Sequence, residues 1–150
     1  MERISYQDIP KGMFETLMEV EKFISNSSLD MPLIGLIKLR ASQINGCAYC
    51  VDMHHKELQH QGEKELRLVS LCVWEETPYY TQKERAVLHF TEASTLLSHK
   101  PIPSAVFEAL LDYFSKQEIA YLTLVVAQIN TWNRLMKVFQ TTPGQYKVQP

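Results

Sequence analysis

Apolar residues in this chain recur at intervals of three and four over most of its length, and nowhere alternate with polar ones for long enough to make a convincing strand. That pattern admits helices and little else. Met13, Leu17, Val20 and Ile24 set an amphipathic helix over Lys11 to Ser25. Leu33 to Ile44 forms a second, entered through Pro32 and interrupted at Asn45-Gly46. A third runs helically from about Cys47 to Gln61, with Gly62 as its stop. Glu65 to Trp74 reads as a short helix carrying Leu66, Val69 and Val73 inward. Thr81 and Glu84 have the spacing of a capping box ahead of a helix reaching about Ser98. Pro103 or Ser104 opens the next, which ends near Phe114. Ser115 and Glu118 repeat the capping-box spacing before a long apolar helix from Gln117 to about Phe139. The expected architecture is all-α, a helical bundle of about six or seven helices. A single domain would span residues 1–150, with its core over about 13–139 and an extended or loose tail over 141–150.

A chain of 150 residues suits one compact core, and a net charge of −2 leaves no electrostatic footprint for nucleic acid or an anionic membrane. No apolar run is long enough to span a bilayer, and the start, M-E-R-I-S-Y-Q-D, has neither the basic nor the apolar region of a signal peptide. Three cysteines are too few, and odd in number, for a secreted disulfide framework. A cytoplasmic location is therefore expected, and there a close cysteine pair is catalytic or metal-binding rather than a permanent staple. The segment Ile119 to Ala127 is apolar almost all round, which leads us to expect a homo-oligomer that covers it.

The chemistry concentrates in N-G-C-A-Y-C-V-D-M-H-H, Asn45 to His55. At about 100° per residue, Cys47, Cys50 and His54 fall within about 60° of one another on a helix. His55 is offset and Asp52 faces the other way. Asn45-Gly46 reads as a helix stop and restart, which puts the pair in a first turn where free N–H groups favour a thiolate. Two cysteines at this spacing can close an easily reduced disulfide, and a neighbouring imidazole can take the thiol proton. A redox dithiol, a partial metal site and plain packing all remain compatible with the spacing. Cys47, Cys50 and His54 would supply three of the four ligands that zinc wants, and no second such motif follows. Cys72, in V-S-L-C-V-W, reads as inert core, and His55, His60, His89 and His99 as structural.

The segment R-A-S-Q-I-N-G-C-A-Y-C-V-D-M-H, Arg40 to His54, resembles the signature of the alkylhydroperoxidase AhpD-like, or carboxymuconolactone decarboxylase, family. Trp74 to Thr77, Glu84 to Leu88, and I-N-T-W-N-R-L from Ile129 to Leu135 resemble further motifs of that family, in order. The resemblance implies an all-helical fold, assembly as a trimer or hexamer, and membership of the branch with a C-x-x-C-x-x-x-H motif. That branch implies a thiol-dependent peroxidase acting on a small organic hydroperoxide without a cofactor or metal. Cys50 would be the peroxidatic thiol, Cys47 the resolving thiol and His54 the proton relay, with a lipoyl or thioredoxin-like dithiol as external reductant. The helix-terminus argument taken alone favours Cys47 as the more activated thiol. Alternatives are a redox-sensing or metal-binding protein that uses the same cysteines without turnover, and a decarboxylase-like lyase. The family's relay glutamate falls twelve residues before the first cysteine, at Gly35 here, which leaves Glu84 or Glu92 as candidate replacements. Polar residues inside a bundle must be paired, so Arg40, Asn45, Asn133 and Arg134 are expected to form a network between helices.

Overall fold

The second helix of the bundle is apolar on nearly every side, and the rest of the chain packs around it. This computed structural model describes residues 2–148; Met1 of the N-terminal reading and Gln149 and Pro150 of the expected tail lie outside the described residues. Among the described residues there are seven α-helices, α1 (Met13–Ser25), α2 (Met31–Ile44), α3 (Ala48–His60), α4 (Glu65–Ser70), α5 (Gln82–Thr95), α6 (Ser104–Leu111) and α7 (Lys116–Phe139). Short 3₁₀ turns stand at Tyr6–Asp8 and Leu71–Glu76, and no strand occurs among the described residues. The fold is all-α, as the periodicity required. Both expected capping boxes form, with the Thr81 and Ser115 hydroxyls accepting from the backbone N–H groups of Glu84 and Glu118 at 3.2 Å each.

α2 buries Leu33, Ile34, Leu36, Ile37, Leu39, Ala41 and Ser42 and packs against α3, α5 and α7. On one side Ile34 and Ile37 join residues of α5, α6 and α7, among them Val87, Leu110, Leu122 and Val126. On the other, Leu36 and Leu39 meet Leu58, Leu68, Leu71, Trp74, Tyr80 and Leu88. A third cluster gathers Cys47, Cys50, Met136 and Phe139 beneath the N-terminal segment.

α2 and α3 approach closely because Gly35 has no side chain. A Cβ placed there would lie 2.6 Å from Leu58 Cδ2 and 2.9 Å from Leu58 Cγ, and Leu58 is fully buried. The helical segment 65–76 departs from expectation. Leu66, Val69 and Val73 point outward, and the inward stripe is Leu68, Leu71 and Trp74. The chain leaves the α-helix at Leu71 and kinks at Val73 (φ −127°, ψ 30°), and past that kink Trp74 lies in the same buried cluster as Leu68 and Leu71. Cys72 is consequently exposed, not part of the core. On α7, Ile119, Leu122, Val125 and Val126 are buried within the chain itself, Tyr121 and Leu124 are half-buried, and between Ile119 and Ala127 the exposed positions are Ala120, Thr123 and Ala127.

The close approach of α2 and α3 yields a test. Replacing Gly35 with alanine gains about 1 kcal/mol of helix propensity but overpacks a buried contact, a cost of about 1–3 kcal/mol. At 2.6 Å from a side chain with no room to move, the clash should win. Gly35→Ala should lower the urea midpoint, a net loss of up to about 2 kcal/mol, and Gly35→Glu should be far worse. A midpoint at or above wild type for Gly35→Ala would contradict the packing.

Candidate active site

The turn between α2 and α3 is made by Gly46, whose φ of +62° a residue with a side chain rarely adopts. It lets α2 stop and α3 restart within three residues, with Cys47 as the N-cap. The Cys47 backbone N–H donates to the Ser42 carbonyl at 3.0 Å, and the Cys47 sulfur accepts from the Cys50 N–H at 3.4 Å. The two cysteines are joined as a disulfide, their Cα atoms 5.3 Å apart. Both are buried, at 1% and 2% exposure.

The turn is bolted to α7. The Asn45 side-chain amide donates to Asn130 Oδ1 at 3.0 Å and to Asn133 Oδ1 at 2.9 Å, and Asn133 donates to the Ser42 hydroxyl at 3.0 Å. Arg134 joins at the rim, donating to Asn130 Oδ1 at 3.0 Å, and Lys137 Nζ donates to the Asn45 carbonyl at 2.7 Å. The expected polar network is therefore present except for Arg40, which pairs with Glu92 on α5 at 2.7 Å.

A cavity of about 360 Å³ opens between α1, α2, α3 and α7. α3 lines it with Cys50, Met53, His54 and Glu57, which stand at i, i+3, i+4 and i+7 and so share one helical stripe. Phe14, Met18, Tyr49, Trp132 and Met136 make most of the remaining wall apolar. Its other charges are Lys38 and Glu21, paired at 2.6 Å, and Glu21 also accepts from the Trp132 indole N–H at 2.8 Å. Cys50 faces this cavity and Cys47 does not line it, which separates the two thiols by access.

His54 is 5% exposed, and its Nδ1 lies 2.8 Å from Glu57 Oε2. Burial pushes the Glu57 carboxyl up. The hydrogen bond and charge of His54, the Tyr146 hydroxyl and the Lys38 charge outweigh that and hold it below the usual carboxylate range. An ionised Glu57 can only accept, so His54 carries a proton on Nδ1, and in the neutral imidazole Nε2 is then the nitrogen left to act as a base. The resemblance places a carboxylate at Gly35; the carboxylate that meets His54 in this structure is Glu57, one turn further along α3. Neither replacement considered from sequence takes the role. Glu84 pairs with Arg67 at 2.6 Å and caps α5, and Glu92 holds Arg40 and the Trp74 indole. The signal for Glu57 was present in the spacing: at i+3 from His54 it shares the stripe of the cysteines.

His55 faces Glu65 at 3.3 Å and His89 stacks edge-on against Trp74 with ring centroids 4.6 Å apart, both away from the cavity. No group of three or more His, Cys, Asp or Glu placed to hold a metal ion occurs among the described residues. No helix among them is long and apolar enough to cross a membrane.

Comparison with known proteins agrees with this geometry. The model of the carboxymuconolactone decarboxylase family matches residues 10–93, which include α1, α2 and α3 and the cysteine pair. The uncharacterized protein YdfG of Bacillus subtilis is 37% identical over 135 residues, 89% of this chain and 91% of its own length. A crystal structure from Agrobacterium tumefaciens, of a protein of unknown function considered a candidate AhpD antioxidant defence protein, is 40% identical. It superposes with a TM-score of 0.92 over 99% of this chain and 100% of its own. The debrominase Bmp8 shares the fold alone, with 18% identity and a TM-score of 0.77 over 87% of this chain and 70% of its own. The chain belongs to the carboxymuconolactone decarboxylase family, and its Cys47-x-x-Cys50 pair fits the AhpD-like branch.

Proposed function

We propose that the protein is a thiol-dependent peroxidase that reduces a small organic hydroperoxide through Cys47 and Cys50. The observation that carries this reading is the Cys50 sulfur on an apolar cavity of about 360 Å³ that also holds the His54–Glu57 pair, with Cys47 within disulfide reach behind it. His54 Nε2 takes the Cys50 proton, and the thiolate attacks the terminal peroxide oxygen. The O–O bond breaks, the alkoxide leaves and takes the proton back from the imidazolium, and Cys50 becomes a sulfenic acid. Cys47 then attacks the Cys50 sulfur, the S–O bond breaks, and water departs with the Cys47 proton. The resulting disulfide is reduced by two electrons from an external dithiol. Because both sulfurs are buried, a slender lipoyl-type arm suits the approach better than a broad protein surface.

The choice of Cys50 as peroxidatic thiol follows access to substrate rather than position at the helix terminus, where Cys47 stands. The apolar lining favours an organic hydroperoxide over hydrogen peroxide, since Phe14, Met18 and Trp132 offer burial to an alkyl or aryl group and little to a small polar molecule. Glu57 accepts from His54 Nδ1–H and so holds the ring, and its charge faces the imidazolium that proton transfer would form.

Hydroperoxide consumption under a dithiol reductant should be lost in Cys50→Ser. In Cys47→Ser it should stop after one sulfenic acid per chain, detectable with a dimedone probe. His54→Ala should slow it by about 100-fold, Glu57→Gln by a smaller factor, and the exposed Cys72→Ser not at all. Equal rates in all five would end the peroxidase reading. Glu57 also makes a pH prediction. A carboxyl held below its ordinary 4.5 in the folded chain contributes stability that is fully present above that value and lost as pH falls through the folded one. The stability difference between wild type and Glu57→Gln should be constant near neutrality and shrink below about pH 4.5. A difference that grows on acidification would contradict an ionised Glu57.

A further inference from the structure

Residues 141–148 form no helix or strand, yet they are fastened across α3. The Gly144 backbone N–H donates to Asp52 Oδ2 at 3.0 Å. Lys56 Nζ, paired with Asp52 at 2.8 Å, donates to the Tyr146 carbonyl at 3.1 Å. These two anchors lie one turn apart on the face of α3 opposite the cysteines, and they carry the chain around the helix towards the cavity side. There the Tyr146 hydroxyl donates to Glu57 Oε1 at 2.7 Å, while the other oxygen of the same carboxylate, Oε2, faces His54 Nδ1.

We propose that this C-terminal segment is a strap that completes the site, and that Tyr146 is its positioning residue, holding one oxygen of Glu57 so that the other is presented to His54. The proposal rests on the reading of His54 and Glu57 as the proton relay. The Glu57 side chain is 29% exposed, and the terminal torsion of a glutamate is broad, so the pair with His54 alone would leave the carboxylate free to turn or swing to solvent. A second donor from a different segment fixes its plane.

The other charged and titratable groups around this carboxylate are Lys38 from α2, Glu21 from α1, and Tyr49 and Asp52 from α3, with Glu2 near Tyr49. From α7 the cavity receives Trp132 and Met136, neither of which titrates. Among the described residues only His54 and Tyr146 hydrogen-bond the Glu57 side chain. Burial, followed by the hydrogen bond and charge of Glu57, pushes the Tyr146 phenol up, which keeps it a donor at any physiological pH. Tyr146 does not line the cavity, so its effect on chemistry would run through Glu57.

The test follows the Glu57 carboxyl carbon by NMR titration in the intact, disulfide-bonded protein, where neither Cys47 nor Cys50 titrates. In Tyr146→Phe the ionised carboxylate loses one donor, and its midpoint should rise by about 0.5 to 1 unit. Asp52→Ala should produce a similar rise while leaving Tyr146 in the sequence, because it releases the anchor at Gly144. Removing the Asp52 charge by itself would push Glu57 the other way, so a rise isolates the strap. An unchanged Glu57 midpoint in Tyr146→Phe overturns the positioning role, and a rise there with none in Asp52→Ala overturns the strap. In hydroperoxide turnover Tyr146→Phe should lower kcat several-fold at constant KM, and an unchanged kcat also overturns the positioning role. The titration needs no turnover, so a wild type inert to hydroperoxides would sink the peroxidase reading and leave the strap to be judged on the Glu57 midpoint.

Discussion

The close approach of α2 and α3 at Gly35 and Leu58 is the constraint on which the rest of this structure depends. With no Cβ at Gly35, the Leu58 side chain lies against the α2 backbone, and α3 settles into place along that contact. α3 carries Cys47, Cys50, His54 and Glu57, so the position of all the candidate chemistry is set by one missing side chain. The same contact closes α2 as a source of the relay carboxylate, because any side chain at Gly35 would run into the buried Leu58. The carboxylate that meets the imidazole, Glu57, comes instead from the helix that already bears the histidine.

That relocation changes how the site is held. An acid on α2 would tie histidine and carboxylate to two helices and rely on their packing for its geometry. With His54 and Glu57 three residues apart on α3, the pair is local and helical geometry brings the two side chains within reach of each other. Long-range support enters at two other points. The Asn45–Asn133–Ser42 bonds hold the start of α3 against α7, and the tail reaches Glu57 from outside. Rigid side chains at one end of the stripe and a strap at the other bracket the dithiol and its base.

Much of this was legible in the sequence, and each exception has its own physical reason. Helix positions, both capping boxes and the common stripe of Cys47, Cys50 and His54 are local properties, readable from spacing within a turn or two. The segment 65–76 misled because it holds two apolar stripes, Leu66-Val69-Val73 and Leu68-Leu71-Trp74. The end of the α-helix at Leu71 and the kink at Val73, which composition does not announce, decide between them. Cys72 changed from buried to exposed by the same break. Glu57 was readable in spacing but hidden by the resemblance, which directed the search for an acid to Gly35 and then to α5. Tyr146 could not be found at all, since its 89-residue separation from Glu57 is closed only by the path of the tail around α3.

The fold does not choose the reaction, since a debrominase is built on it as well. What remains to discriminate is the cavity wall. Lys38 and Glu21 stand in it as a pair 2.6 Å apart, so neither offers a free charge, and Glu57 has both oxygens engaged by His54 and Tyr146. An anionic substrate would meet Lys38 already neutralised and Glu57 ionised nearby, and would lose its hydration without a compensating partner. A neutral molecule with an apolar body would gain burial against Phe14, Met18 and Trp132 and need only one polar end, directed at Cys50 and His54. An uncharged alkyl or aryl hydroperoxide has that shape and polarity. The proposed chemistry therefore draws its selectivity from charges that are present but already spoken for.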